Sequence, residues 1–298
     1  MFIFRRRKYK LTNDTVKVGE FILYRIKATK AFGTVKKGDL GGYIEQERNL
    51  SPYDDCWVFD NAQVYGNGYV SGNATISDDA KVYGIASVSG NAQIFGKAQI
   101  YDEASVWGSA KVYDSAKVFG TASVSDDVKI YDEASVSGEV CITNSACIFE
   151  NAKVYGEAFI SKNAKIFGNA KIYGEASIFG DAHISGNAEI YGETSISGNA
   201  KIYDNTKIYD EASVWGNAII CNNAQVFDRA DISDNAQIFD NARVYGKASV
   251  ANEAQISGNA RVYGEASIFD SVQVCGKARV CGTAEIYDNE IISTGVRD

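Results

Sequence analysis

The chain has 298 residues, with 30 Lys and Arg against 38 Asp and Glu, and a formal net charge of −8 at pH 7. This acidic balance disfavours long-range attraction to nucleic acid or to an anionic membrane. No apolar stretch approaches the roughly 18 residues that a membrane-spanning helix needs. Only four residues precede the first arginine, too few for a signal-peptide core. The sequence therefore predicts a cytoplasmic protein with no membrane partner.

The N-terminal segment differs in charge from the rest of the chain. Residues 1–48 hold 12 Lys and Arg against 5 Asp and Glu, so residues 49–298 hold 18 against 33, a balance of −15. A strand is predicted over 21–28, and Gly38 and the pair Gly41 and Gly42 mark two turns. Residues 1–48 are predicted to form an N-terminal β cap, because an open coil would present unpaired strand edges. The basic cluster near the terminus is expected to be solvated, with contact to phosphate or anionic lipid as the alternative. This cluster is Arg5, Arg6, Arg7, Lys8 and Lys10.

From Asp55 to Thr294 the chain consists of forty consecutive six-residue repeats without insertion or deletion. The fourth position is Ile or Val in all forty, the second is Ala in 32, and the sixth is Gly or Asp in 34. Alternation around a branched residue predicts a short strand whose fourth position points inward. Gly, Asp and Asn tolerate positive φ, so the sixth position is predicted to be a corner.

The outward residues repeat at every third hexad, which predicts 18 residues per coil. Short strands with a corner every six residues cannot form an open sheet, so each strand is expected to pair with the strand one coil above. The predicted fold is all-β, a triangular single-stranded parallel β-helix of about 13 coils. Its predicted bounds are 49–294, followed by a C-terminal tail over 295–298. The period alone does not determine the handedness.

One predicted face carries basic residues beside a column of aromatic residues. Stacked rings would stabilise the coil as a purely structural ladder, but Tyr and Arg also dominate protein interfaces. A protein partner or self-association is therefore expected at this face. A single strand of nucleic acid stacked on the rings is disfavoured by the charge of −15. The residues of the predicted binding face are Lys153, Tyr155, Lys171, Tyr173, Tyr191, Lys207, Tyr209, Arg243, Tyr245, Arg261 and Tyr263.

His183 is the only histidine and is the weak candidate for a catalytic base. It occupies an outward third position, and a general base also needs a pocket and an orienting partner. An exposed histidine without a catalytic role is therefore expected. The six cysteines lack the CxxC spacing of a zinc site, and neighbouring pairs are separated by a corner. Reduced structural thiols and no metal site are predicted.

Phrases such as Asn169-Ala170-Lys171-Ile172-Tyr173-Gly174 resemble the hexapeptide repeats of the left-handed parallel β-helix superfamily. The segment Lys37-Gly38-Asp39-Leu40-Gly41-Gly42 is similar to the lead-in of the YdcK-like family of bacterial and phage proteins. The resemblance implies a left-handed helix with a small β cap. It also implies an alternative function, an acetyltransferase that uses acetyl-CoA and has His183 as its base.

The predicted function is a non-catalytic scaffold that presents the Tyr and Lys/Arg face to a protein partner and needs no cofactor. For a phage-encoded chain the expected partner is a host factor. If the protein is instead an enzyme, the resemblance implies an acetyltransferase, although fold similarity alone does not define function.

Overall fold

The computed structural model describes residues 7–298 and divides the chain into two compact units. Unit 1 is Met1–Asn144 and unit 2 is Ser145–Asp298. Within the described residues the regular structure is β, apart from one 3₁₀ turn at Glu47–Asn49. None of the helical segments in this range has the length and apolarity to span a bilayer.

Unit 1 begins with three strands that pair antiparallel. β1 (Tyr9–Val18) pairs with β2 (Phe21–Ala28), and β2 pairs with β3 (Leu40–Ile44). β3 then runs parallel to the strand Gln63–Val64, with Ile44 opposite Val64. The N-terminal sheet therefore continues directly into the parallel part of unit 1.

The inward apolar column begins earlier than the hexad pattern predicts. Ile44 and Leu50 are fully buried, and they lie opposite Val64 and Val70, respectively. These two residues are six apart, but Val58 follows Leu50 by eight positions. The two additional residues interrupt the period, so the pattern that starts at Asp55 misses this first part of the column.

The rest of unit 1 is a parallel β-solenoid of five turns with three two-residue strands per turn. Partners in successive turns are 18 residues apart, as in Gln93 opposite Lys111. The strands of the first sheet are Trp57–Val58, Thr75–Ile76, Gln93–Ile94, Lys111–Val112 and Lys129–Ile130. Those of the second are Gln63–Val64, Lys81–Val82, Gln99–Ile100, Lys117–Val118 and Ser135–Val136. Those of the third are Tyr69–Val70, Ser87–Val88, Ser105–Val106, Ser123–Val124 and Cys141–Ile142.

Unit 2 repeats this architecture over nine turns, the last of which lacks a strand in the third sheet. We call its second sheet the tyrosine face and its third sheet the serine face. The first sheet contains Cys147–Ile148, Lys165–Ile166, His183–Ile184, Lys201–Ile202, Ile219–Ile220, Gln237–Ile238, Gln255–Ile256, Gln273–Val274 and Ile291–Ile292. The tyrosine face contains Lys153–Val154, Lys171–Ile172, Glu189–Ile190, Lys207–Ile208, Gln225–Val226, Arg243–Val244, Arg261–Val262, Arg279–Val280 and Val296–Arg297. The serine face contains Phe159–Ile160, Ser177–Ile178, Ser195–Ile196, Ser213–Val214, Asp231–Ile232, Ser249–Val250, Ser267–Ile268 and Glu285–Ile286.

The core of both units is the column of Ile and Val residues at the fourth position of each hexad. Every member of this column is buried except Ile286, which is partly exposed. Each fully buried side chain contributes about 1.5–3 kcal/mol of gross hydrophobic stabilisation. The predicted inward assignment, the parallel pairing and the 18-residue turn are therefore confirmed. The handedness and the predicted bounds at 48/49 and 294/295 stay predictions.

The corners explain why Gly, Asp and Asn recur at the sixth position. Every sixth-position residue except Thr294 has a positive φ. At Gly174 a Cβ atom would lie 2.8 Å from the backbone N of Gly192, so glycine relieves a close approach between turns. Asp has a second advantage, because its carboxylate accepts a hydrogen bond from the corner N–H of the next turn, as Asp228 does from Gly246 at 2.9 Å.

Candidate binding face

The tyrosine face of unit 2 carries one continuous stack of seven aromatic rings. Adjacent ring centroids are 4.8–5.0 Å apart, and their planes differ by 1–6°. Rings in direct face-to-face contact would lie about 3.5 Å apart, so these rings are offset, the arrangement that aromatic pairs prefer. We call this stack the tyrosine ladder; its members are Tyr155, Tyr173, Tyr191, Tyr209, Phe227, Tyr245 and Tyr263.

The backbone produces the ladder without any special local structure. The ladder residues occupy the fifth position of each hexad and the basic residues the third, and both point outward because the fourth position points inward. Parallel pairing is in register from turn to turn, for example Lys171 opposite Glu189 and Ile172 opposite Ile190. Equivalent side chains therefore lie one turn apart, at the spacing that stacked rings require.

Burial raises the pKa values of three tyrosines in the middle of the ladder, Tyr173, Tyr191 and Tyr209. The pKa of Tyr173 is raised to about 12, mainly by burial and further by the nearby Glu189 carboxylate. Burial is also the largest cause of the raised pKa values of Tyr191 and Tyr209. The phenols of these residues are therefore neutral and able to donate hydrogen bonds at ordinary pH.

A column of charged residues runs beside the ladder, two positions before each ring. We call it the basic column; it contains Lys153, Lys171, Glu189, Lys207, Gln225, Arg243, Arg261 and Arg279. Lys153, Lys207, Arg243, Arg261 and Arg279 are exposed, whereas Lys171 is partly buried.

Glu189 is the one acidic residue of the basic column, and it forms ion pairs with the lysines on either side of it. The ammonium groups of Lys171 and Lys207 each lie 3.0 Å from one of its carboxylate oxygens. These contacts lower the pKa of Glu189, and the carboxylate raises the pKa of Lys171. The predicted binding residues are thus brought together on one face, but two of the lysines share one carboxylate within the chain. Arg243, Arg261 and Lys153 retain exposed positive charge.

A second charged column, absent from the predicted face, lies on the other side of the ladder. We call it the acidic column; it occupies the corner two positions after each ring and contains Glu157, Glu175, Glu193, Glu211, Arg229, Lys247, Glu265 and Thr283. Its first four residues line a groove of about 430 Å³ together with Asp210. The 18-residue repeat of glutamates is visible in the sequence, but their position beside the ladder becomes evident only when the turns are stacked.

His183 lies on the first sheet of unit 2, away from the tyrosine ladder. It is partly exposed, and its neighbours in register are Lys165 and Lys201. Its Nδ1 is 2.8 Å from the backbone carbonyl oxygen of Asp181, a contact in which Nδ1 donates. The Asp181 carboxylate instead accepts from Asn163 at 2.8 Å. The contact with the Asp181 carbonyl orients the imidazole on the outward side of the strand.

One residue of the N-terminal basic cluster, Lys8, is buried, although the sequence predicted that the whole cluster is solvated. Lys8 is only 1% exposed, and its ammonium group donates to the backbone carbonyls of Cys56 at 2.8 Å and Tyr53 at 2.9 Å. It also lies 4.9 Å from the ring centroid of Phe32. The expectation was wrong for Lys8 because these acceptors come from a distant segment of the chain. Arg7 and Lys10 are exposed, and Arg5 and Arg6 lie outside the described residues.

Lys8 borders a cleft of unit 1 that is lined by both positive and negative side chains. This cleft measures about 460 Å³ and is lined by Arg7, Lys8, Lys30, Phe32, Pro52, Tyr53, Asp54 and Asp55. Arg7 pairs with Glu47 at its edge. The role of Lys8 at this cleft is structural, because backbone carbonyls already accept hydrogen bonds from its ammonium group.

All six cysteines have free thiols, and burial raises the pKa of the Cys56 thiol. Over residues 7–298 no group of three or more His, Cys, Asp or Glu side chains is arranged to hold a metal ion.

Comparison with known proteins finds similarity to YdcK-like repeats over part of the chain. The family model described as the YdcK beta solenoid repeat matches residues 236–251 and 254–268, which lie in unit 2. The chain is also 37% identical over 57 residues to a protein of Escherichia coli (strain K12) named "Uncharacterized acetyltransferase YdcK". This similarity covers 19% of the present chain and 18% of the relative. The repeat match, the partial similarity and the parallel β-solenoid together fit a YdcK-like β-helix family, as the hexads and the lead-in segment predicted.

Proposed function

We propose that the protein is a non-catalytic β-solenoid scaffold whose tyrosine face in unit 2 binds a protein partner. The observation that carries this proposal is the ladder of seven stacked rings beside exposed Arg243 and Arg261. Tyr and Arg supply most of the binding energy in many protein interfaces.

The ladder is suited to binding because its side chains are already ordered. Immobilising a flexible side chain at an interface costs about 0.5–1.5 kcal/mol. Rings held between two neighbours have lost most of that freedom before a partner arrives. A pre-organised, amphipathic surface of this kind binds with a small entropic penalty.

The proposal includes a cytoplasmic location, no cofactor, and no nucleic-acid or membrane partner. The charge of −15 on residues 49–298 supports the exclusion of polyanionic partners. If the chain is encoded by a phage, we propose more specifically that the partner is a host protein.

The test compares charge reversal on the two named faces of unit 2. Arg243→Glu with Arg261→Glu should abolish capture of the partner by the immobilised full-length protein. Ser249→Glu with Ser267→Glu is the matched control, because it adds two carboxylates in the same turns of the serine face. The captured partners are identified by mass spectrometry. Equal capture by both variants would show that the tyrosine face does not bind the partner.

The second candidate function is an acetyl-CoA-dependent acetyltransferase with His183 as general base. Two observations favour it: the name of the E. coli relative, and the Asp181 carbonyl that accepts from Nδ1 and orients the imidazole. Calorimetric titration with acetyl-CoA tests this candidate. Micromolar binding that His183→Ala abolishes and that Lys201→Ala retains would favour the enzyme over the scaffold.

A further inference from the structure

The basic column of the tyrosine face ends in three arginines on successive turns. Arg243 lies opposite Arg261 in the parallel register, and Arg261 lies opposite Arg279. All three side chains are exposed. Because neighbouring parallel strands are about 4.8 Å apart, the two outer arginines are about 9.6 Å apart along the axis of the unit 2 solenoid. We call these three residues the arginine strip.

The chain itself does not compensate the charge of the arginine strip. Over residues 7–298 no carboxylate lies within ion-pair distance of these three guanidinium groups. Carboxylates in the corners on either side are engaged elsewhere. Asp240 accepts a hydrogen bond from the backbone N–H of Gly258 at 3.0 Å, and Glu265 is 2.7 Å from the ammonium group of Lys247. The arginine strip therefore remains a row of uncompensated cations.

The same column shows what compensation within the chain looks like. Glu189 stands between Lys171 and Lys207 and is 3.0 Å from both ammonium groups. Like charges directly opposite each other on neighbouring strands destabilise a sheet. The chain thus relieves this repulsion at Glu189 and retains it at the arginine strip. A ligand that supplies the missing negative charge would find a complementary surface there.

The positive region around the arginine strip is short. Residues 241–282 hold 5 Lys and Arg against 3 Asp and Glu, a balance of +2. Residues 49–298 carry −15 in total, so the rest of that range carries −17. A long polyanion bound to the arginine strip would extend onto acidic turns, which repel it. The charge distribution therefore favours a compact acidic segment of a protein.

We infer that the protein partner of the tyrosine face binds the arginine strip through an acidic α-helix, with carboxylates at positions i, i+3 or i+4, and i+7. This inference rests on the proposed function, because it names the chemistry of the partner at the same face. A helix rises 1.5 Å per residue, so positions i and i+7 are about 10.5 Å apart, close to the length of about 9.6 Å between the outer arginines. In an extended strand, three side chains on one side span about 13 Å, which is longer than the arginine strip.

Hydrogen-bond donors line both sides of the arginine strip. Asn241 and Asn259 are exposed two positions before an arginine, and Tyr245 and Tyr263 are partly exposed two positions after one. Ionised carboxylates only accept hydrogen bonds, whereas amide N–H and phenol O–H groups can donate them. A guanidinium group can also bind one carboxylate through two parallel hydrogen bonds. The surface is therefore matched to carboxylates in hydrogen bonding as well as in charge.

The test uses two synthetic helical peptides and the full-length protein. Both are labelled alanine-based helices of about 20 residues with three glutamates and the same composition. One peptide places the glutamates at i, i+4 and i+7, on one side of the helix, and the other distributes them around it. Fluorescence anisotropy at low salt should show about tenfold tighter binding of the one-sided peptide, because only this peptide can form three guanidinium–carboxylate pairs at once. Equal affinities, or no binding of either peptide, would overturn the inference.

A matched pair of variants tests whether the arginine strip is the site. Arg261→Gln removes the central charge and should weaken binding of the one-sided peptide about tenfold. Lys165→Gln removes one exposed charge from the first sheet of unit 2 and should leave the affinity unchanged. An equal loss in both variants would mean that the peptide responds only to overall charge, and the inference would fail.

Thermal melting at low salt gives a readout that a structural role of Arg261 would reverse. Arg261→Gln should melt at the same temperature as the wild type or slightly above it, because the substitution removes a charge that repels both neighbours. A clearly lower melting temperature would show that the chain depends on this guanidinium group for its own stability, which contradicts an uncompensated strip.

A third probe distinguishes the acidic helix from a nucleic acid. A single-stranded oligothymidylate should bind more weakly than the one-sided peptide, because the acidic turns around the arginine strip repel it. Tighter binding of the oligothymidylate that Arg261→Gln abolishes would overturn the acidic helix as the ligand.

The outcomes also separate this inference from the proposed function. Capture of a protein partner that depends on Arg243 and Arg261, without a preference for the one-sided peptide, retains the proposed function and overturns only the acidic helix. Capture that does not depend on these two arginines overturns the proposed function.

Discussion

The tyrosine face and the serine face of unit 2 have the same backbone and differ in what they present to solvent. Both consist of two-residue parallel strands over the same Ile and Val core. The first carries stacked rings and charges, whereas the second carries mainly serines, with Trp215 exposed and hydrogen-bonded to Asp231 at 2.8 Å. The comparison teaches that the inward position of each hexad determines the fold and the two outward positions are free to determine recognition.

The largest expected effect comes from a charge in the shared core. Ile172→Asp places a carboxylate in a fully buried site, where no partner compensates the loss of water. We expect it to destabilise unit 2 by more than about 4 kcal/mol, enough to abolish cooperative melting near the wild-type temperature. Ser177→Asp, on the outward side of the serine face, is the control and should melt within a few degrees of the wild type. Similar melting of both variants would show that Ile172 does not lie in the core.

The second-largest expected effect is the loss of stability when a ring of the tyrosine ladder is removed, compared with the removal of a serine hydroxyl on the serine face. Tyr191→Ala removes a ring that stacks on two neighbours, at 4.8 Å from Tyr173 and 5.0 Å from Tyr209. Each aromatic pair contributes about 0.5–1.5 kcal/mol, so urea denaturation should show a loss of about 1–3 kcal/mol. Ser195→Ala on the serine face should change the free energy of unfolding by less than about 0.5 kcal/mol. An equal loss in both variants would argue against stacking as a source of stability.

Alkaline titration gives a smaller effect, which Tyr173 of the ladder is expected to show. The pKa of Tyr173 is about 12 in the folded protein, against 10.0 for an ordinary tyrosine. A raised pKa in the folded state stabilises the fold below pH 10, and this contribution is lost as the pH rises towards 12. The ultraviolet absorbance of tyrosinate should therefore show ladder phenols that titrate well above pH 10. In Tyr173→Phe the decline of stability between pH 10 and 12 should be shallower, and an unchanged decline would contradict the assignment.

The smallest expected effect concerns the corner that follows the first strand of the serine face. Lys162 has φ of 59°, whereas six of the corners after the tyrosine face are glycines, such as Gly156. Lys162→Gly should stabilise unit 2 by about 1 kcal/mol, because a left-handed conformation costs a non-glycine residue roughly that amount. Lys165→Gly, in a strand, should destabilise it by about 0.5–1 kcal/mol. The two changes in melting temperature should therefore have opposite signs.

The repeat was predictable from the sequence because its physical causes are local. A branched residue such as Ile172 at every sixth position needs a buried environment, and residues such as Asp228 at the corners tolerate positive φ. The binding face was predicted in outline, since Tyr173 and Lys171 recur every 18 residues. The role of Glu189 was not, because its contacts with Lys171 and Lys207 depend on side chains one turn away on either side.

What the sequence determined by itself is the parallel coil, its 18-residue turn and its inward Ile and Val column, because these follow from a period that each residue shares with its neighbours in the chain. Only the tertiary structure decided that Lys8 is buried against Cys56, that the inward column begins at Ile44, and that Glu189 pairs with both Lys171 and Lys207. Those features arise from contacts between segments far apart in the chain, and hydrogen bonds, burial and charge pairing at such distances are not encoded in the local period.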